Sequence, residues 1–190
     1  ATRVIKGLDP VTTSVTIPFS AGPVWFRTSS ESSVDAQPTW TSTTELKINV
    51  TAYNSTTGNP TCAVLAENPH RGSRAVRTQG RDGSATTSYA YFKVWDVDIP
   101  VAANVQLSFW TYPTSSLGRY VSVDMVMTDG TTLRDCGAVD INGVSMHPAA
   151  GRGTVNTWTK TTCIIGNWLN GKTIDRILIA YDHAAETGNF

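Results

Sequence analysis

Polar side chains capable of binding or acid–base chemistry are concentrated in the segment that follows Leu133. Carboxylate, amide and basic groups are interspersed there, and a tryptophan comes after them: Asp135, Asp140, Asn142, His147, Arg152 and Trp158. Carboxylates accept hydrogen bonds, guanidinium groups donate them, and amides do both, so this mixture suits a ligand with adjacent hydroxyl groups. Trp40, Trp110 or Trp158 could also stack its indole on the apolar face of a sugar ring; Trp158, which follows the polar segment, is favoured, whereas Trp110 is more typical of a core or sheet-face residue. The segment therefore predicts a binding site for a polar, polyhydroxylated ligand.

Other interpretations use the same residues. The segment could be a self-supporting loop, in which arginines pair with the aspartates and His147 caps a turn, or it could coordinate calcium. A glycosidase or lyase could use Asp124, Asp135 and Asp140 as general acid and base. However, Asp124 lies in a strand pattern, and the segment has no nucleophile elbow, phosphate-binding glycine loop or His/Cys metal spacing. We therefore predict a non-catalytic binding protein, with an enzyme or a structural adhesion domain as alternatives.

Short β-strands are predicted to position this segment. In residues 104–112 and 119–128 apolar and polar side chains alternate, which is typical of a half-buried strand, and Asp129-Gly130 predicts a tight hairpin turn with positive φ. Helical periodicity is almost absent, and the other predicted strands are 13–19, 24–30, 46–53, 62–66, 73–79, 88–97, 131–135, 158–165 and 173–181. The last of these is apolar on both faces and should be central. Many short strands predict a sandwich or barrel, and residues 136–157 predict a long functional loop.

Composition narrows the function classes. The chain has 190 residues, with 15 Lys and Arg against 15 Asp and Glu. A neutral chain does not suggest binding to nucleic acid or to an anionic membrane, and no apolar run approaches the ~20 residues of a membrane span. Nothing at the N-terminus resembles a signal peptide, so a secreted protein would be in its mature form here. Abundant hydroxyl residues favour an extracellular location. Of the three cysteines, Cys136 and Cys163 could form a disulfide, or all three could be buried thiols.

Four stretches resemble a known family. They are Ser29-Ser30-Glu31 with Asp35 to Trp40, Glu67 to Ala75, Val123 to Pro148, and Ile165 to Asp182. The third, with its pattern VDxxxTDGTxLRDxGAVDxNGVxxHP, is the most specific. Residues 29–190 are similar to galactose-binding-like β-jelly-roll carbohydrate-binding domains. These include the domains attached to bacterial family 92 α-mannosidases and those of the oyster-mushroom (Pleurotus ostreatus) lectin.

The resemblance implies a fold, a ligand and a metal. The fold would be all-β, an antiparallel β-jelly-roll sandwich over 29–190, preceded by a leading strand or the tail of another domain at 1–28. The ligand would be a glycan, with galactosides favoured over mannosides. A structural calcium ion would be held by Glu31, Asp35 and the carbonyls of Arg71 and Gly72. The family's final strand, which carries a further calcium ligand, has no counterpart here, so the sequence is expected to belong to a longer, multidomain chain. A homo-oligomer is the alternative assembly.

Overall fold

The computed structural model describes residues 60–86 and 88–190, together with the backbone of two short strands. These strands, β1 (Thr2–Val4) and β2 (Thr16–Pro18), pair antiparallel. β2 falls within the predicted strand 13–19. The predicted strands 24–30 and 46–53 and the domain boundary predicted near residue 28 lie outside the described residues.

The described part of the chain is built from antiparallel β-strands. After β2 the strands are β3 (Thr61–Leu65), β4 (Ala75–Gln79), β5 (Arg81–Asp82), β6 (Ser88–Pro100), β7 (Leu107–Thr111), β8 (Val121–Met127), β9 (Thr159–Cys163), β10 (Thr173–His183) and β11 (Gly188–Asn189). Within residues 60–190 as described, the helical elements are two 3₁₀ turns, η1 (Leu117–Tyr120) and η2 (Pro148–Ala150), and one turn of α-helix, α1 (Gly166–Leu169). The all-β prediction is confirmed. No helix in the described ranges is long and apolar enough to cross a membrane.

The central sheet has the strand order β6–β10–β8, which confirms the predicted central position of 173–181. Successive side chains along each strand point to opposite faces of this sheet. On β8, Val123 and Met125 join the main core with Phe92 of β6, whereas Asp124 points to the opposite face beside Leu178. A polar residue therefore sits on the second face of the most buried sheet, where it needs a partner.

The turn after β8 follows the predicted hairpin in part. Gly130 has φ of 84°, whereas Asp129 keeps a negative φ, so only one of the two residues supplies the predicted left-handed conformation. The returning arm bonds β8 through Leu133 N and Met125 O at 2.9 Å, and Thr132 forms a single bridge with Val126. The predicted strand 131–135 is wrong beyond that bridge, because residues 133–135 form a turn and do not continue the ladder with β8.

β7 and β9 form a separate two-stranded sheet with one face on the core. Leu107 and Phe109 pack against the core, and Thr161 and Cys163 of β9 are buried on the same side. The predicted alternation within 104–112 is confirmed. The opposite face of this pair is open to solvent at Ser108, Trp110 and Lys160.

All three cysteines are free thiols. Cys62 and Cys163 are buried, and burial raises the pKa of each thiol to about 11. Cys136 is half-buried, and its thiol donates to Leu133 O at 3.2 Å. The predicted alternative of three buried thiols is observed in part, because all three are unpaired but Cys136 is only half-buried.

These environments predict selective alkylation. Burial also raises the pKa of Cys136, but this thiol is only half-buried, so at pH 8 iodoacetamide should reach and modify it well before Cys62 and Cys163 in the folded protein. Peptide mass spectrometry over a time course measures the order. Unfolding in guanidinium without reductant should then expose all three thiols; a single reactive cysteine in that control would show that Cys136 and Cys163 are joined.

Candidate functional site

The predicted loop is joined to the central sheet by Arg152. This side chain is only 7% exposed, and its guanidinium donates to Ser122 Oγ of β8 and to the carbonyl of Ser145. Burial lowers the pKa of Arg152, and the nearby charge of Asp140 opposes that shift. Most of the guanidinium donors of Arg152 are therefore committed to the protein's own backbone and hydroxyl groups.

His147 caps the η2 turn. Its Nδ1 accepts a hydrogen bond from Ala149 N at 3.1 Å, and its Nε2 lies 3.8 Å from Asp182 Oδ2 at the end of β10. The same Asp182 oxygen accepts from the Tyr91 hydroxyl at 2.9 Å. His147 thus caps a turn, as the self-supporting interpretation predicts, and its ring also lies near Asp182 of β10, which bonds to Tyr91 of β6.

The loop aspartates differ in their surroundings. Asp140 Oδ1 accepts from the backbone amides of Asn142 and Val144 at 2.8 and 2.9 Å, which closes the loop tip around it. The Asn142 residue is exposed. Asp135 is also exposed, with 63% of its side chain accessible, although it contacts Thr132 Oγ1 and Arg134 Nε. Of the predicted polar residues, Asp135 and Asn142 remain the most available to a ligand.

Asp124 and Arg134 form a buried ion pair on the second face of the central sheet. Asp124 is fully buried, and it accepts from the Arg134 guanidinium and from the backbone amides of Met125 and Arg134. Burial raises the pKa of Asp124, while the guanidinium and the two amides counteract this shift. Arg134 also lies 4.4 Å above the Tyr91 ring, a cation–π distance. This pair holds the start of the loop on the sheet.

Trp158 joins a group of aromatic rings. We call His70, Trp110, Tyr112 and Trp158 the aromatic platform. His70 stacks on Trp110 with centroids 4.0 Å apart, and it meets Trp158 edge-on at 5.1 Å. Tyr112 lies 5.4 Å from Trp158. Trp110 remains 44% exposed despite these contacts. Of these rings, Trp158 is the stacking residue that the sequence favours and Trp110 a less favoured candidate, whereas His70 and Tyr112 were not predicted as ligand contacts.

Polar side chains continue the same face of the β7·β9 sheet. Gln106 Nε2 donates to Ser108 Oγ at 3.0 Å, and Ser108 Oγ lies 3.1 Å from Thr162 Oγ1 on β9. Lys160 is paired with Trp110 in the strand register and is exposed. An apolar ring surface therefore borders hydroxyl, amide and ammonium groups, and this combination is typical of sites for polyhydroxylated ligands.

The six predicted ligand-binding residues do not form one group. Trp158 belongs to the aromatic platform, whereas Arg152 and His147 bond to β8 and β10. The loop nevertheless reaches the platform's sheet, because Ile141 N donates to Thr162 O of β9 at 2.9 Å. Two candidate surfaces follow, the aromatic platform and the exposed loop side chains Asp135 and Asn142.

The predicted calcium site can be described only in part. Arg71 and Gly72 lie in the exposed turn between β3 and β4, where Gly72 has φ of 71°. Glu31 and Asp35 lie outside the described residues. Within the ranges that the structure describes, no three His, Cys, Asp or Glu side chains come together as a metal site. Calcium binding stays a prediction.

Comparison with known proteins adds no assignment. Neither a scan against protein-family models nor a search of curated proteins returned a match, so the resemblance to jelly-roll carbohydrate-binding domains stays a prediction.

Proposed function

We propose that this domain is a non-catalytic carbohydrate-binding module whose ligand lies on the aromatic platform. The observation that carries the proposal is the exposed Trp110 ring, in contact with His70 on the solvent-facing side of the β7·β9 sheet. Large aromatic side chains are usually buried, and here Trp95, for comparison, is only 6% exposed. An exposed indole with neighbouring hydroxyl groups suits the apolar C–H face of a pyranose and its polar rim.

The environments of the acidic residues support binding rather than hydrolysis. A glycosidase needs two carboxyl groups on either side of the scissile bond, one of them able to give up a proton. Asp124 is fully buried and paired with Arg134, and Asp140 accepts two backbone amides. Neither is arranged as a solvent-facing acid beside the rings; Asp135, the third predicted acid, is exposed, but its contacts are Arg134 Nε and Thr132 Oγ1. We therefore place this protein among extracellular lectins or glycosidase-attached modules, with galactose-type glycans as the first ligands to test.

A paired binding and hydrolysis experiment tests this function. We expect intrinsic tryptophan fluorescence to change saturably with at least one class of galactose-containing polysaccharide, because Trp110 and Trp158 would lie against the ligand. Reducing-end assays on the same mixtures should show no release of sugar. Release of product would establish an enzyme, whereas the absence of a fluorescence change and of retention on every immobilised glycan would contradict the proposal.

A further inference from the structure

The charge next to the aromatic platform is positive. Lys160 is the cross-strand partner of Trp110, and both project from the solvent-facing side of the β7·β9 pair. Among the described residues no carboxylate lies within ion-pair distance of the Lys160 ammonium group. By comparison, Lys93 pairs with Asp96, and Lys172 pairs with Asp129. Lys160 is therefore a solvated cation available to a ligand.

The turn that carries His70 also presents a positive charge. Arg71 follows His70 directly and is exposed, and Glu67 of that turn is already paired with Arg77. Within the described residues, the ionic groups left free beside the rings are thus cationic. A carboxylate or sulfate on a ligand would meet a favourable potential here, and a cationic ligand would not.

We propose, as a refinement that rests on the function above, that the aromatic platform selects acidic saccharides. The sugar ring of the ligand stacks on Trp110 and Trp158. Its carboxylate or sulfate group accepts a hydrogen bond from the Lys160 ammonium group, and the positive charge of Arg71 adds to the attraction. Both anions offer oxygen acceptors to an ammonium group. The ligand class is therefore a galactose-type glycan that carries uronic acid or sulfate ester groups, rather than a neutral galactan.

Three polysaccharides and three variants at two lysines test this inference. Affinity electrophoresis should show stronger retardation by polygalacturonate or by a sulfated galactan than by a neutral galactan. For the acidic ligand, Lys160→Gln should weaken binding by about tenfold, the low end for one charge-assisted hydrogen bond, and Lys160→Glu by more. Lys172→Gln, which alters a lysine at the β8 turn, should leave the affinity unchanged. Added salt should weaken binding of the acidic ligand more than of the neutral one.

The outcomes separate the two proposals. Stronger retardation by only one of the two acidic polymers would support the inference and show whether a carboxylate or a sulfate group is recognised. Equal retardation by neutral and acidic polymers, with no effect of Lys160→Gln, would overturn the inference and leave carbohydrate binding intact. Absence of retardation by all three polymers would overturn the inference, and the fluorescence and glycan-retention screen would then decide the broader proposal. Circular dichroism of each variant checks that it is folded.

Discussion

Trp110→Ala is expected to weaken glycan binding by about 30-fold or more. Truncating a central aromatic anchor in a binding site typically costs at least about 2 kcal/mol, which corresponds to that change in Kd. Because the indole is 44% exposed and does not fill the core, the thermal transition should change little. Isothermal titration with the best ligand from the screen measures the affinity, and thermal denaturation measures stability.

Variants at matched positions sharpen this test. Trp158→Ala should also weaken binding, and Trp110→Phe should restore part of it, because a smaller ring still stacks. Tyr89→Ala serves as an aromatic control, since Tyr89 lies on the second face of the central sheet beside Tyr91. If Asp135→Ala abolished binding while Trp110→Ala did not, the ligand site would be the exposed loop rather than the aromatic platform.

Arg134→Met is expected to cause the largest loss of stability. The substitution keeps a long side chain over Tyr91 but leaves the fully buried Asp124 carboxylate without its cation. Removing one partner of a buried ion pair typically costs about 3–5 kcal/mol. Chemical denaturation at pH 7 measures the difference in free energy of unfolding. Lys172→Gln is the matched control, because it breaks an exposed pair worth about 0–1 kcal/mol.

The pH dependence of the Arg134→Met variant identifies the cause. Without the guanidinium, burial would raise the pKa of Asp124 further above its value in the unfolded chain. The folded variant then binds a proton that the unfolded chain does not, so its stability rises as pH falls through the raised pKa, down to about pH 4. The difference in free energy of unfolding between Arg134→Met and the unsubstituted protein should therefore become smaller at acidic pH. A deficit independent of pH would mean that lost packing, and not the buried carboxylate, explains the effect.

Local patterns were sufficient to predict much of the sheet structure. The alternation in 104–112 and 119–128 identified β7 and β8, and the two apolar faces of 173–181 identified the central strand. The arm after Gly130 was predicted to be a longer strand, because its composition does not reveal that residues 133–135 form a turn held against β8. The backbone amide of Arg134 bonds to Asp124 at that point, and this contact depends on the folded hairpin.

The site was harder to predict, since it depends on contacts between distant segments. The alternation correctly placed Trp110 opposite the core-facing residues of β7, yet its exposure depends on whether another layer covers it. His70 reaches Trp110 from the turn between β3 and β4, and no spacing in the sequence signals that contact. The loop residues were predicted from their types, but the backbone partners of Asp140 and His147 exist only in the folded loop.

The mutual contacts of the four platform rings affect the thermodynamics of binding. Trp110 is held by His70, and Trp158 by both His70 and Tyr112, so their side-chain rotations are already restricted before a ligand arrives. Immobilising a freely rotating side chain on association costs about 0.5–1.5 kcal/mol. Here most of that entropy is lost during folding, which leaves more of the stacking energy for affinity.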